Sequence, residues 1–94
     1  MNFTIKNNKL VINFSQKLDT STVLALEKGL TEKIKQEPYP VIFDLEGVEF
    51  ISSMFLRICM MTFKEKGRDQ FTILNAAPQI KSVFMIAGFS EMLS

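Results

Sequence analysis

The stretch Val41–Met61, "VIFDLEGVEFISSMFLRICMM", changes from one apolar pattern to another at a pair of serines. Its first five residues, Val41–Leu45, are apolar apart from one aspartate, which is typical of a buried central strand. After a loop around Gly47, "VEFI" alternates like a second strand. From Ser53 to Gly67 the spacing of apolar residues becomes helical. This order of elements predicts an α/β layer in which helices pack against a sheet.

The residues before this stretch predict a β-hairpin and a helix. Apolar residues alternate with polar ones on either side of "NNK", which indicates two strands joined by a tight turn: Phe3, Ile5, Leu10, Ile12 and Phe14. The segment "LDTST" offers an N-cap for a first helix: Asp19, Thr20 or Ser21. The core-facing side of that helix follows at helical spacing, with Val23, Leu26, Leu30 and Ile34.

The residues after it add a further strand, "QFTILN", and a third helix. Pro78 lies near the first turn of this helix, where proline is well tolerated. Its core side is predicted to carry Ile80, Val83, Phe84 and Ala87. Gly88 is the expected C-cap, and "FSEMLS" is expected to form a final turn. The alternation of strands and helices along the chain predicts one domain with a mixed sheet.

Composition excludes several classes of function. The 94 residues carry a net charge of +1, which gives no broad field for binding nucleic acid. Histidine is absent and Cys59 is the single cysteine, so we expect no metal site, no cofactor and no Ser-His or Cys-His nucleophile. The polar start of the chain and the lack of a long apolar run predict a cytoplasmic protein without membrane insertion.

Two apolar stripes run along the helix that follows the serines. On a wheel of about 100° per residue, the stripe predicted to face the sheet holds Leu56, Cys59, Met60 and Phe63. The stripe predicted to face outward holds Met54, Ile58 and Met61. A helix on the surface of a small domain needs only one stripe. The second therefore predicts a partner-binding face, unless the last helix or self-association covers it.

The serine pair has two interpretations. Ser53 is most simply an N-cap, with its hydroxyl accepting a free backbone N–H of the first turn. The second interpretation is that Ser53 is a modification site, because a helix N-terminus accommodates a phosphate and the new charge would stand beside an apolar surface. Asp19 is predicted to be an N-cap. Asp44 lies inside a predicted strand, and with no basic residue beside it in sequence the two carboxylates are not predicted to be a catalytic pair.

Three segments together resemble the STAS domain family, and more narrowly the bacterial anti-sigma factor antagonists: "LDTSTVLALEKGL", "VIFDLEGVEFISSMFLRIC" and "FTILNAAPQIKSVFMIAGFSEML". The resemblance covers about Phe3 to Leu93. It implies one STAS domain over residues 1–94, with a mixed four- to five-stranded sheet packed against three to four helices.

The resemblance also assigns individual residues. It implies that Ser53 is the serine that a partner kinase phosphorylates. Ser52 stands where the family usually has aspartate, and Asp19 matches the acidic residue before the first helix. Phe55 replaces a family glycine, and its ring is expected to fill the room where a partner's backbone would approach. The implied partner-binding residues are Asp19, Ser52, Met54, Phe55, Ile58 and Met61.

The mechanism implied by the family is a switch and not an enzymatic activity of this chain. The unphosphorylated protein binds an anti-sigma factor that is also a serine kinase, and so frees the sigma factor. Phosphorylation of Ser53 ends binding, and a serine phosphatase restores it. The alternative is a STAS subunit without a phospho-switch, bound to another partner such as a lipid-transport ATPase. A small nucleotide-handling enzyme is disfavoured because no Gly-rich phosphate loop is present. We expect a monomer or a weak dimer.

Overall fold

The computed structural model describes residues 1–15 and 17–94. The elements are β1 Asn2–Lys6, β2 Lys9–Asn13, β3 Lys17–Leu18, α1 Thr20–Gln36, β4 Val41–Asp44, β5 Phe50–Ile51, α2 Ser53–Lys66, β6 Phe71–Leu74 and α3 Pro78–Ile86. Short 3-10 turns follow α2 and α3, at Arg68–Gln70 and Ser90–Met92. The predicted α/β class, the hairpin and the three helices are confirmed.

The main sheet has four strands in the order β1-β2-β4-β6. β1 and β2 are antiparallel, whereas β2, β4 and β6 run parallel, so the sheet is mixed as predicted. Asn7 and Asn8 form the hairpin turn at φ values of 52° and 62°. Asparagine tolerates this left-handed region better than most residues, and two such positions suit a two-residue hairpin. β4 is an interior strand, as its apolar run predicts.

A second, two-stranded sheet pairs β3 with β5 in parallel, with Leu18 opposite Ile51. The sequence did not predict β3, which is only two residues long. Its role is positional, because α1 begins directly after β3 and α2 directly after β5. Parallel pairing therefore places the N-termini of both helices at the same end of this small sheet.

One face of the main sheet forms the core. Its buried side chains are Leu10, Ile12, Val41, Phe43, Phe71 and Ile73. α1 contributes Val23, Leu30 and Ile34 as predicted, while Leu26 is half-buried. α3 contributes Ile80 and Phe84, but Ala87, predicted to face the core, is exposed. The C-cap of α3 is Ala87, one residue before the predicted Gly88, which follows it at φ +84°. Glycine at that place is the usual way to leave a helix.

Among the residues described, no helix has both the length and the apolar character needed to cross a membrane.

Candidate modification and docking site at the start of α2

The N-cap of α2 is Ser52 and not Ser53. The Ser52 Oγ accepts a hydrogen bond from the backbone N–H of Phe55 at 3.3 Å, and the Ser52 backbone is extended. Its own N–H donates to the carbonyl oxygen of Leu18 at 2.8 Å, which ties the cap to β3. The predicted capping role of Ser53 is therefore wrong. Because β3 fixes the backbone of Ser52, the helix starts at Ser53, one residue earlier than an N-cap at Ser53 would give.

Ser53 is the first residue of α2 and its side chain is exposed. Within residues 1–15 and 17–94 its hydroxyl makes no side-chain hydrogen bond, so it is not committed to a structural role. The first turn of α2 contains no acidic residue. Backbone N–H groups at a helix start favour a nearby anion. The position can therefore carry a phosphate without loss of a cap and without repulsion from within its own turn.

Asp19 is the N-cap of α1, as predicted. Its Oδ1 accepts hydrogen bonds from the Thr22 backbone N–H at 2.9 Å and from the Ser21 hydroxyl at 3.3 Å. The bonds from Thr22 are the largest cause of a lowered pKa for the Asp19 carboxyl, and Ser21 and the charge of Lys17 lower it further. Asp19 directly follows Leu18, the residue that binds the Ser52 amide, so the two helix caps lie at neighbouring positions of one small sheet.

Asp44 ends β4 and is held by two donors. Its Oδ1 accepts from the Glu46 backbone N–H and from the Asn75 amide, each at 3.0 Å. These bonds join the ends of β4 and β6 and satisfy the half-buried carboxylate, which supports a structural role. Sequence reasoning missed Asn75, whose φ is +59°. An asparagine directly after a strand, before two alanines and a proline, was the available signal.

The buried face of α2 differs from the predicted one. It consists of Phe55, Ile58, Cys59 and Thr62. Of the stripe predicted to face the sheet, only Cys59 is buried, whereas Leu56, Met60 and Phe63 are half-buried. Ile58, predicted to face outward, is 4% exposed. The reason is that α2 packs against α1 as well as the sheet, so Ile58 lies beside Ile34 of α1 and cannot reach a partner.

Phe55 is fully buried, so its predicted place on the partner-binding surface is also wrong. Its ring centroid lies 5.1 Å from that of Phe14 in an edge-to-face arrangement, and 5.9 Å from that of Phe43. Such aromatic pairs add stability beyond the area they bury. The Phe55 ring therefore fills the domain's own core and not the surface where the resemblance implied a partner would approach.

Cys59 lies on the same buried face, and burial raises the pKa of its thiol well above the usual value. A protonated, inaccessible thiol is not a nucleophile. The nearby Thr62 hydroxyl donates to the Ile58 carbonyl at 2.8 Å, so this buried polar group is satisfied. The inward side of α2 thus carries packing and no chemistry.

The outward surface of β5 and α2 keeps apolar side chains from Phe50, three residues before Ser53, to Met61, about two turns beyond it. Phe50 is 51% exposed and Met61 is 46% exposed, while Met54 is half-buried. Phe50 was not among the predicted partner-binding residues, although the alternation in "VEFI" places it opposite the buried Ile51. Met61 also lines a groove of about 180 Å³ between α1 and α2. Exposed apolar groups beside an accessible hydroxyl are suited to binding a macromolecule.

The known proteins that resemble this chain include three antagonists of anti-sigma factors. Anti-sigma-F factor antagonist RsfB of Mycobacterium tuberculosis is 31% identical over 63 residues, which cover 67% of this chain and 52% of RsfB. The chain therefore spans about half the length of that relative. An anti-sigma-factor antagonist (STAS) domain protein from Planctomyces limnophilus superposes with a TM-score of 0.85 at 26% identity, covering 98% of this chain and 84% of its own.

The third is the anti-sigma factor antagonist SpoIIAA, solved in unphosphorylated form and, from Bacillus, in phosphorylated form. The TM-scores are 0.78 and 0.71 at identities of 18% and 21%. Each covers 99% of this chain, and 86% and 89% of SpoIIAA respectively. At these identities the likeness shows the shared fold alone. The model of the STAS domain matches residues 1–94. On this match, the chain belongs to the STAS domain family.

Proposed function

We propose that this chain is an anti-sigma factor antagonist that is switched by phosphorylation of Ser53. In its unphosphorylated form it binds an anti-sigma factor that is also a serine kinase, and so releases a sigma factor in the cytoplasm. ATP-dependent phosphorylation of Ser53 ends the complex, and a serine phosphatase restores it. The observation that carries the proposal is that Ser52 caps α2, so the exposed Ser53 hydroxyl makes no side-chain hydrogen bond within residues 1–15 and 17–94.

The docking surface of this proposal is β5 with the outward side of α2 as far as Met61, about two turns beyond Ser53. Phe50 and Met61 supply exposed apolar area, and Met54 adds a half-buried thioether beside Ser53. Buried apolar contacts of this kind provide the anchors of most interfaces. Phe55 and Ile58 are left out because their side chains belong to the core.

Ser52 and Asp19 take part by fixing the geometry of this surface. Ser52 holds the first turn of α2, and Asp19 holds the first turn of α1 on the adjoining strand. The half-buried Asp19 carboxylate also adds a negative charge to the rim of the surface. Rim charges of this kind mainly affect association rate and partner selection.

The phosphate acts through charge and desolvation. It adds about −1.5 to −2 charge at pH 7. The free N–H groups of the α2 start stabilise this charge within the domain. When a partner covers Phe50 and Met61, however, the same charge must lose water against an apolar surface, which is costly. The fold is thus expected to tolerate phosphorylation that the complex does not.

Phosphorylation is tested by incubating the protein with the anti-sigma kinase and ATP and measuring intact mass. We expect a gain of one phosphate in the parent chain and in Ser52→Ala, and none in Ser53→Ala. Ser52→Ala is the matched control, since it removes a neighbouring hydroxyl but not the proposed acceptor. A phosphate on Ser53→Ala, or no phosphate on the parent chain, contradicts the switch.

Binding is tested separately by titrating the same kinase without ATP. We expect Met61→Asp to weaken the complex and Ser53→Ala to retain it. If the kinase does not bind the parent chain at all, the antagonist role fails. A stable complex with a transport ATPase, and no phosphate, would then favour a STAS subunit without a switch.

A further inference from the structure

The two edges of the main sheet differ in whether another segment of the chain pairs with them. At the β6 edge, Leu93 forms a parallel bridge with Ile73, and the Ser94 N–H donates to the Ile73 carbonyl at 3.0 Å. This edge is therefore covered by the chain's own C-terminal segment. At the other edge, β1 has β2 on one side and no strand on its outer side within residues 1–15 and 17–94. An open edge of this kind is a template for adding another strand.

The backbone groups that β1 presents outward can be assigned from its neighbour β2. The Leu10 N–H donates to the Pro40 carbonyl at 2.8 Å, so Leu10 turns its backbone toward β4. Leu10 lies opposite Ile5 in the antiparallel ladder. In such a ladder hydrogen-bonded and non-hydrogen-bonded pairs alternate. Ile5 and, two residues away, Phe3 therefore direct their N–H and C=O groups to the open edge.

The side chains of the same two residues are only partly covered. Phe3 and Ile5 lie on the core-facing side of the sheet, but they remain 37% and 48% exposed. Lys33 of α1 lies 5.8 Å from the Phe3 ring centroid and still leaves that ring accessible. The open edge thus combines unpaired backbone groups with two apolar side chains on one face.

We propose that β1 is a self-association edge, at which β1 of a second copy adds in antiparallel orientation around a two-fold axis at Thr4. In this register Phe3 lies opposite Ile5 of the second copy. By symmetry, Ile5 also lies opposite Phe3 of the second copy. Both residues direct their backbone groups outward, so each of the two pairs exchanges two hydrogen bonds. The result is one continuous eight-stranded sheet across the dimer.

When two copies of β1, "NFTIK", pair in this register, the opposing side chains suit each other better than in registers shifted by one or two residues. An aromatic residue meets a β-branched one on the core-facing side, which is a favourable cross-strand pair. On the other side Lys6 meets Asn2 of the second copy, so no like charges oppose each other, and Thr4 meets Thr4. A shift by one residue would place outward-directed backbone groups against inward-directed ones. A shift by two in either direction leaves one apolar pair within Asn2–Lys6, in place of two.

The interface is small. Five-residue strands cover less area than the roughly 1,200 Å² at the lower limit of stable complexes, so the dimer is expected to be weak and concentration-dependent. Lys6 at the end of the strand also limits sheet growth, as lysine does at many natural edges. Closure by a two-fold axis consumes the open edge of each copy, and Leu93 covers the other edge, so pairing stops at the dimer.

Disulfide trapping tests the register. Thr4 would lie in a non-hydrogen-bonded pair with its own copy, at a Cα separation of about 4.5 Å. Disulfides span Cα separations of about 4.4–6.8 Å. Thr4→Cys is therefore expected to form a covalent dimer under mild oxidation. Lys6→Cys, on the same face of the same strand, is the matched control, because its copy would lie about 14 Å away along the strand. Cys59 is buried and does not compete.

If the two variants cross-link at equal rates, or Lys6→Cys is faster, the proposed register is wrong. Dimerisation itself is measured by sedimentation velocity up to about 1 mM protein. We expect the mean mass of the parent chain to rise with concentration, and that of Ile5→Pro to stay monomeric. Proline there removes an outward N–H without breaking the β1–β2 ladder. A monomeric parent chain, or self-association lost in Met61→Asp but kept in Ile5→Pro, would overturn the proposal.

Discussion

The inward face of α2 is apolar apart from Thr62, whereas its outward face is mostly polar and has Met61 as its exposed apolar side chain. The inward face, with Phe55 and Ile58, is sealed against the sheet and α1, whereas Met61 on the outward face is nearly half exposed. Residue type alone does not separate packing from binding, because Ile58 and Met61 belong to the same predicted stripe and line the same groove beside α1. What separates these two residues is burial, since α1 covers Ile58 and leaves Met61 in solvent. The comparison can be tested by placing the same substitution on each face.

The largest effect is expected from a charge on the inward face. Ile58→Asp would bury an unpaired carboxylate beside Ile34 and should cost more than about 4 kcal/mol of unfolding free energy, enough to unfold a small domain. Met61→Asp, less than one turn away on the outward face, should cost below about 1 kcal/mol. Urea unfolding of both variants measures the difference. Equal losses in the two variants would mean that the two faces are not distinct.

A cavity on the inward face should have the next largest effect. Phe55→Ala removes a ring that packs against Phe14 and Phe43, and it should destabilise the domain by about 3–5 kcal/mol. The measurement is the urea midpoint at an unchanged slope. Phe50→Ala is the control, since that ring is half exposed and its loss should cost far less. A small loss at Phe55 would show that the ring is not part of the core.

The elements of the fold with a strong local pattern were predictable. The apolar run of β4, the alternation of β1 and β2, and the helical spacing in α1 each identify their element without reference to the rest of the chain. β3 was missed because two residues carry no periodicity. It exists only through its pairing with β5, a contact between segments about 30 residues apart in sequence.

The site was predictable in place but not in detail. Two adjacent serines before an apolar helix locate the start of α2, yet either one satisfies the preference for serine at an N-cap. The choice of Ser52 is made by the Leu18 carbonyl, which fixes its backbone from a distant segment. The prediction of which side of α2 is buried was wrong for a similar reason. With two apolar stripes, the sequence does not say which one α1 will cover, and Ile58 was assigned to the wrong face.

The two serines extend the comparison to the helix start. Ser52→Ala removes the hydroxyl that accepts the Phe55 N–H and should cost about 1 kcal/mol. Ser53→Ala removes a hydroxyl without a hydrogen-bond partner in the described part of the chain, and it should change stability by less than about 0.5 kcal/mol. Thermal and urea unfolding distinguish the two. A larger loss of unfolding free energy in Ser53→Ala than in Ser52→Ala would show that Ser53 is the cap. It would also weaken the proposal that the Ser53 hydroxyl is free to accept a phosphate.

The smallest effect concerns the caps of α1 and α2, one of which is ionisable. The lowered pKa of Asp19, caused chiefly by its bonds from Thr22, means that the folded state favours the ionised carboxylate. The contribution of this carboxylate to stability is fully present above the unfolded pKa and is lost as pH falls through the lower folded pKa.

Asp19→Asn keeps a good cap without the charge. The difference in unfolding free energy between parent and Asp19→Asn should therefore be constant at neutral pH and change across that acidic interval. The same difference for Ser52→Ala should stay flat, because a hydroxyl does not titrate there. A flat difference for Asp19→Asn would show that the charge on this cap does not contribute to stability.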